Sequence, residues 1–222
     1  MAMTAEQKLI DNYIVEVGDM FARLGHHLVT LDNLRDEHKH VALEQFGLVA
    51  DPTIYDGNLH RLVASHIDHY DNQMGTYLRY AHVVLTYLVF EDRLHAFGRL
   101  RMATHRGNEF VAGNGKGSLI KKFAHYLTVH SIKVPSSDAV ESLRLIRNCV
   151  VHCHGRVADY SERDTLRQRL PSLVGVVTDG QERLKLTTEG CLNLQEGAIQ
   201  YVHAINSAAG FRLWIPPAGH RQ

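Results

Sequence analysis

The chain is short of everything that would mark a secreted or membrane protein. Three cysteines, Cys149, Cys153 and Cys191, make an odd count with no framework spacing. They read as reduced thiols of a cytoplasmic protein rather than as disulfides. No apolar run approaches the length of a membrane span. The first residues, Met1 to Gln7, have neither a basic region nor an apolar one, so no signal peptide is expected. No internal repeat or low-complexity tract is visible. Charge of one sign is missing too: 24 Lys+Arg balance 24 Asp+Glu. That balance speaks against a non-specific binder that tracks DNA along a basic groove. It leaves room for a protein that grips one or two phosphates.

What is present is an ordinary 45% hydrophobic content over 222 residues, enough for a core, and a high histidine count of 16. Protonation of those histidines makes the chain increasingly cationic below about pH 6.5.

Apolar residues recur every three or four positions through most of the chain. The pattern predicts an all-α fold, an up-and-down helical bundle with a small C-terminal β-hairpin insertion. Thr4 with Gln7 fits a capping box that opens a helix over 4–50. Its stripe runs through Leu9, Ile10, Tyr13, Val17, Phe21, Leu24 and Leu28, then weakens where 35–40 is polar on all sides. A second helix is expected over 58–106, with a kink near Gly75 or Gly98. Ser118 can cap a shorter helix after a glycine-rich loop. Asp138 with Glu141 fits a cap for a helix over 138–154, and Gly155 fits its left-handed stop. Period-two spacing around Asp179-Gly180 predicts a hairpin over 173–188. A last helix over 194–209 turns Ile199, Val202 and Ile205 inward, and 216–222 is a tail. No interdomain linker is apparent, so 1–215 reads as a single helical domain.

One stretch carries chemistry: Arg144-Leu145-Ile146-Arg147-Asn148-Cys149-Val150-Val151-His152-Cys153-His154-Gly155-Arg156. A guanidinium is a fixed bidentate partner for phosphate. An imidazole moves protons near neutral pH. Arginine with histidine five positions later occurs three times, at Arg35/His40, Arg61/His66 and Arg147/His152. Arg35 to His40 encloses only polar residues and reads as a solvated surface turn. Arg61 lies on a long core-forming helix, where His66 reads as a partly buried side chain. Only Arg147 is followed by an amide, an apolar spacer and a histidine beside a glycine stop. On a helix Arg144, Asn148 and His152 share one face. Arg147 lies about 140° round from His152, so the two can flank a groove but not stack. The alternative is that Arg147 pairs with a carboxylate and His152 is a favourable cation at a helix C-terminus.

Leu145 to His152, with Gly155 following, resembles the signature helix of HEPN domains: Arg, a polar residue that is often Asn, three variable residues, then His. Tyr87-Leu88-Val89-Phe90-Glu91, with Leu94 a turn later, is similar to the helix that often precedes it. The closing hairpin and helix also look like several such proteins. As a pattern the likeness covers about 70–210; only 144–156 is specific. The resemblance implies a dimerising helical bundle whose two motifs form one composite active site. It implies metal-independent endoribonuclease activity, without a cofactor, in a toxin, antiviral-defence or RNA-targeting system, with an antitoxin or defence partner. His152 would act as general acid or base, Arg147 would hold the scissile phosphate, and Asn148 would orient one of them. Arg144 and His154 are expected to contact substrate RNA. The products would be a 2′,3′-cyclic phosphate and a 5′-hydroxyl. A catalytically inactive dimerisation or RNA-binding module is the alternative. One toxin subgroup has tyrosine two positions after the motif histidine; here that position is His154, which sets this chain apart from it.

Other candidates are weaker. Cys149 and Cys153, with His152 and His154, offer a partial zinc set with no second ligand pair, so no metal is expected. His66 and His69 read as surface residues. Gly113 to Ser118 fails as a Walker loop, because Gly117 rather than Ser or Thr follows Lys116 and the earlier glycine position is Phe110. Lys116, Lys121 and Lys122 read as a solvated basic patch, with RNA phosphates as the alternative. Glu91-Asp92-Arg93 reads as an ion pair between helices or a device orienting Arg147.

Overall fold

Thr4 does open the first helix: its Oγ accepts the Gln7 N–H at 3.1 Å. The Gln7 side chain does not return to complete a box. It donates instead to Asp11 and to the Arg212 carbonyl, each at 2.7 Å. The computed structural model describes residues 3–113 and 117–212. Lys116 and the 216–222 tail lie outside them. The described residues are mostly helical, with a small two-stranded antiparallel sheet. The α-helices are α1 (Ala5–Glu44), α2 (Gly57–Asp68), α3 (Gly75–Ala103), α4 (Leu119–Val129), α5 (Asp138–Cys153), α6 (Arg163–Arg169) and α7 (Thr188–Ala208). Strands β1 (Val176–Thr178) and β2 (Leu184–Leu186) pair with Val177 opposite Lys185.

Several boundaries differ from the sequence expectation. The first helix ends at Glu44, not 50, where Gly47 turns left-handed at φ 67°. The region 58–106 is broken, but not at Gly98. A π-helical segment, His69–Met74, separates α2 from α3, and the Gly75 N–H reaches back to the Tyr70 carbonyl. Gly98 is a contact point inside a continuous helix: a Cβ there would lie 2.6 Å from the Phe110 Cβ. Asp138 is the first residue of α5 rather than its cap, and the Ser136 hydroxyl donates to its carboxylate at 2.8 Å. Ser118 caps α4 as expected, accepting from the Lys121 N–H at 3.3 Å. α7 begins six residues early, at Thr188, because the Thr187 hydroxyl accepts the Gly190 N–H at 3.0 Å. Val202 and Ile205 are buried on it, whereas Ile199 is half-buried. α6 has no counterpart in the sequence reading.

The contacts divide the chain into two compact units where the sequence offers one domain. Unit 1 comprises Met1–Ala22, Thr86–Arg144 and Leu194–Gln222. Its core is aromatic. Phe123 meets Phe110 at 4.9 Å and Phe97 at 5.8 Å between ring centroids, Phe97 meets Phe211 at 5.5 Å, and Phe90 meets Tyr201 at 5.7 Å. Edge-to-face packing of this kind adds to plain area burial. Arg93 is buried here and pairs with Asp92 and with Glu16, the ion pair its sequence context suggested.

Unit 2 comprises Arg23–Leu85 and Leu145–Asn193. It is organised around charge. Asp32 accepts from Arg35 at 2.7 Å and from Arg79 at 3.3 Å, and Thr188 also donates to it. Arg35 is therefore a buried helical residue and not part of a solvated turn. Gly75 makes room for the pair, since a Cβ there would lie 2.7 Å from Arg35 Nη1 and 2.8 Å from Arg79 Nη1. α2 is less of a core helix than its spacing suggests: Val63 is buried, but Leu59 and Leu62 are exposed. His66 is half-buried against the Lys39 carbonyl, and His69 is exposed.

Candidate functional site

Helix α5 presents its apolar positions to the interior. Leu143, Leu145, Ile146 and Cys149 are fully buried. Arg144, Arg147 and Asn148 are half-buried, while Val151, His152 and His154 are exposed. The helix stops by two successive left-handed residues, His154 at φ 51° and Gly155 at φ 78°. The left-handed stop therefore begins one residue earlier than the glycine marks. Only glycine fits at 155, because a Cβ would overlap the Tyr80 hydroxyl. That hydroxyl donates to the Leu184 carbonyl at 2.7 Å, and the Leu184 N–H donates to the Gly155 carbonyl at 2.8 Å. The end of the motif helix is thus fixed to the hairpin by main-chain bonds.

The motif residues sort into three situations. Arg147 and Asn148 are brought together: Arg147 Nη1 donates to Asn148 Oδ1 at 2.9 Å. A guanidinium tied to a neighbouring amide loses rotamer freedom before any ligand arrives. His152 stands in the last turn, exposed, and among the described residues its ring has no hydrogen-bond partner. Arg144 is committed: its Nε donates to Glu141 Oε2 at 2.7 Å, both side chains being largely buried. Its charge is already partnered, which weakens it as an RNA contact.

Cys149 is buried, and that burial pushes its thiol up to about 12. Cys191 is likewise pushed up to about 12 by burial, against the opposing pull of Arg79. Neither offers a thiolate near neutral pH. Cys153 is half-buried and donates to the Asp159 carbonyl at 3.5 Å. Among the described residues no three His, Cys, Asp or Glu side chains gather as a metal site.

Among the described residues each unit has a cleft. In unit 1 a cleft of about 670 Å³ lies between Phe110, Tyr126 and His130, with Lys121 and Lys122 at its side. Lys122 donates to the Gly113 carbonyl at 2.8 Å, so it holds the glycine-rich loop. In unit 2 a cleft of about 880 Å³ lies at the C-terminal end of α5 and includes Val150, His154, Tyr77, Tyr80 and Arg183. Of the candidate site residues Arg144, Arg147, Asn148, His152 and His154, the last alone lines it. Tyr77, Tyr80 and Arg183 carried no sequence signal, because they come from two distant segments with no motif of their own. The Asp179-Gly180 turn was visible, but only as a hairpin. That turn has five residues rather than two, and Asp179 Oδ1 accepts the N–H groups of Gln181 and Arg183 at 2.9 Å each. Those two bonds hold the Asp179 carboxyl below the usual carboxylate range.

No family model matches the chain, and neither a curated protein nor a solved structure matches it. Among the described residues no helix is long and apolar enough to cross a membrane.

Proposed function

We propose that the chain is a metal-independent endoribonuclease of the HEPN type, an up-and-down bundle that acts as a homodimer in phage defence or a toxin system. The observation that carries this reading is the state of the motif on α5. Arg147 is oriented by Asn148 at 2.9 Å, and His152 is exposed one turn further on. The reaction is an attack of the RNA 2′-oxygen on the adjacent phosphorus, which expels the 5′-oxygen of the next nucleotide. His152 takes the 2′-hydroxyl proton or returns one to the leaving oxygen, and Arg147 neutralises the charge that builds on the phosphate. The RNA keeps its electron count: one P–O bond forms, one breaks, and a 2′,3′-cyclic phosphate and a 5′-hydroxyl remain. Arg147 and His152 point about 140° apart on their helix. A second copy of the motif across a dimer would supply both groups to one phosphate.

The test is cleavage of structured and single-stranded RNA by the purified protein in EDTA. Loss of His152 or Arg147 to alanine should slow cleavage about a hundredfold or more, the usual worth of a positioned acid–base group. End analysis should find cyclic phosphates. A folded dimer that binds RNA and leaves every RNA intact would replace this reading with the silent RNA-binding module. The half-buried setting of Arg147 is the feature that suits that second reading.

A further inference from the structure

The cleft in unit 2 has an assortment of groups that the cleavage reading does not use. Its volume of about 880 Å³ is within the range of small-molecule sites. Tyr77 stands at it, 70% exposed. Arg183 and Lys185 reach it from the hairpin. The Arg183 Nε is buried, and among the described residues it has no hydrogen-bond partner. A buried charged donor left unsatisfied is costly, and although the Asp179 carboxylate lies within the field of this guanidinium, no acceptor among the described residues reaches its Nε. Lys185 sits 3.9 Å from Asp179, at the outer limit of an ion pair.

The two acids that line the cleft, Asp68 and Asp179, accept hydrogen bonds of their own, and Asp179 offsets part of the positive charge of Arg183 and Lys185. Asp179 is occupied by two N–H groups of its own turn. Asp68 accepts from Asn72 Nδ2 at 2.7 Å. That bond leaves the Asn72 carbonyl oxygen as an acceptor. Gln73 Oε1 is paired with His69 at 3.2 Å, which leaves its amide group as a donor. Asn72 and Gln73 belong to the π-helical segment, a geometry often found where a helix is bent to serve a site. Of the lining residues His154, at φ 51°, is left-handed without being glycine.

The geometry points to a site for one nucleoside monophosphate unit. The phosphate is held by Arg183 and Lys185, the base stacks on Tyr77, and the base edge meets the donor and acceptor amides of Gln73 and Asn72. Exposed tyrosine is a stacking platform because every base offers a π-face. Arginine supplies the planar fork that phosphate prefers. The unit is either a free mononucleotide or one nucleotide of an RNA strand. This site does not depend on the cleavage reading, since neither Arg147 nor His152 belongs to it.

Calorimetric titration of the full-length His152→Ala protein, in which strand cleavage is disabled, tests the site. The probes are 5′-AMP, 5′-UMP and a short single-stranded RNA. Binding of a mononucleotide identifies a free ligand; binding of the RNA alone identifies a strand subsite. Either result should weaken about tenfold or more in Tyr77→Ala and remain in Tyr77→Phe, as stacking requires. Arg183→Gln should weaken it similarly, with Arg183→Lys recovering part. Lys185→Gln, at the strand surface, should reduce it less. Circular dichroism and melting establish that each variant is folded. The inference is overturned if no probe binds the folded protein. It is equally overturned if binding is indifferent to both Tyr77→Ala and Arg183→Gln.

Discussion

Unit 1 and unit 2 both bury apolar side chains, and each adds a buried charge group of its own: Arg93 with Glu16 and Asp92 in unit 1, Asp32 with Arg35 and Arg79 in unit 2. In unit 1 aromatic rings from distant parts of the sequence interlock around Phe97 and Phe123. In unit 2 a carboxylate with two guanidiniums, Asp32 with Arg35 and Arg79, is buried in addition to apolar residues such as Val63, Ile146 and Leu184, and no cluster of phenylalanine rings is found there among the described residues. An apolar core tolerates small shifts at small cost, whereas a buried charge cluster has one arrangement that satisfies it. Arg147, Asn148, His152 and the cleft of about 880 Å³ belong to the unit that also holds this directional network.

The largest effect that distinguishes the units belongs to unit 1. Phe123 is fully buried among Phe97, Phe110 and Tyr126. Phe123→Ala should lower unfolding free energy by about 4 kcal/mol, the range for deleting a buried ring. Chemical denaturation reads this directly. A loss below about 1 kcal/mol would mean the aromatic cluster is not the core it is described as here.

Asp32→Ala comes next. It leaves Arg35 and Arg79, both largely buried, facing each other without their shared acceptor. Removing one member of a buried charge group costs about 3 kcal/mol. The sharper test is a triple replacement of Asp32, Arg35 and Arg79 by apolar residues of similar volume. It should recover most of that loss, because the network contributes arrangement more than net stability. If the triple variant is no better than the single one, the charge cluster stabilises unit 2 outright and the contrast with unit 1 is weaker.

Local signals in the sequence were read well and distant ones were not. The Thr4 and Ser118 caps are written within three residues of the bonds they make. The Asp138 cap failed by the same measure, since Ser136 lies just upstream and takes part in the turn. Arg35 looked solvated because its own segment is polar; it bonds to Asp32 and Asp36 nearby, but Arg79 and Thr188, which share Asp32 with it and help to bury it, are invisible from there. α6 escaped because seven residues with one buried position, Leu166, make no stripe. The Arg147–Asn148 contact was within reach of the sequence because the two residues are neighbours on α5. The cleft beside it was not, because its walls come from the π-helical segment, the start of α3, the end of α5 and the hairpin. A π-bulge depends on packing, here the two guanidiniums against Gly75, rather than on a residue pattern.

The smallest expected effect concerns protons and divides the units by chemistry rather than by magnitude. Burial holds the Cys149 and Cys191 thiols, both in unit 2, at about 12 against an ordinary 9.0. In unit 1 burial holds the Tyr201 phenol at about 12 against 10.0. Each group keeps its proton in the folded chain at pH values where the unfolded chain has lost it. The stabilisation is therefore complete below the unfolded value and disappears as pH rises towards about 12. The thiols begin to act above 9.0 and Tyr201 only above 10.0, so unit 2 should feel alkali first. Hydrogen exchange or urea titration along a pH series from 8 to 11 would show protection in 145–193 declining before that in 194–212. Iodoacetamide at pH 8 gives an independent check. Cys153, half-buried, should react first, with Cys149 and Cys191 at least about tenfold slower in the folded protein. Equal labelling of all three thiols would show that unit 2 opens readily, and that the Gly155–Leu184 and Tyr80–Leu184 bonds do not hold the end of α5 closed.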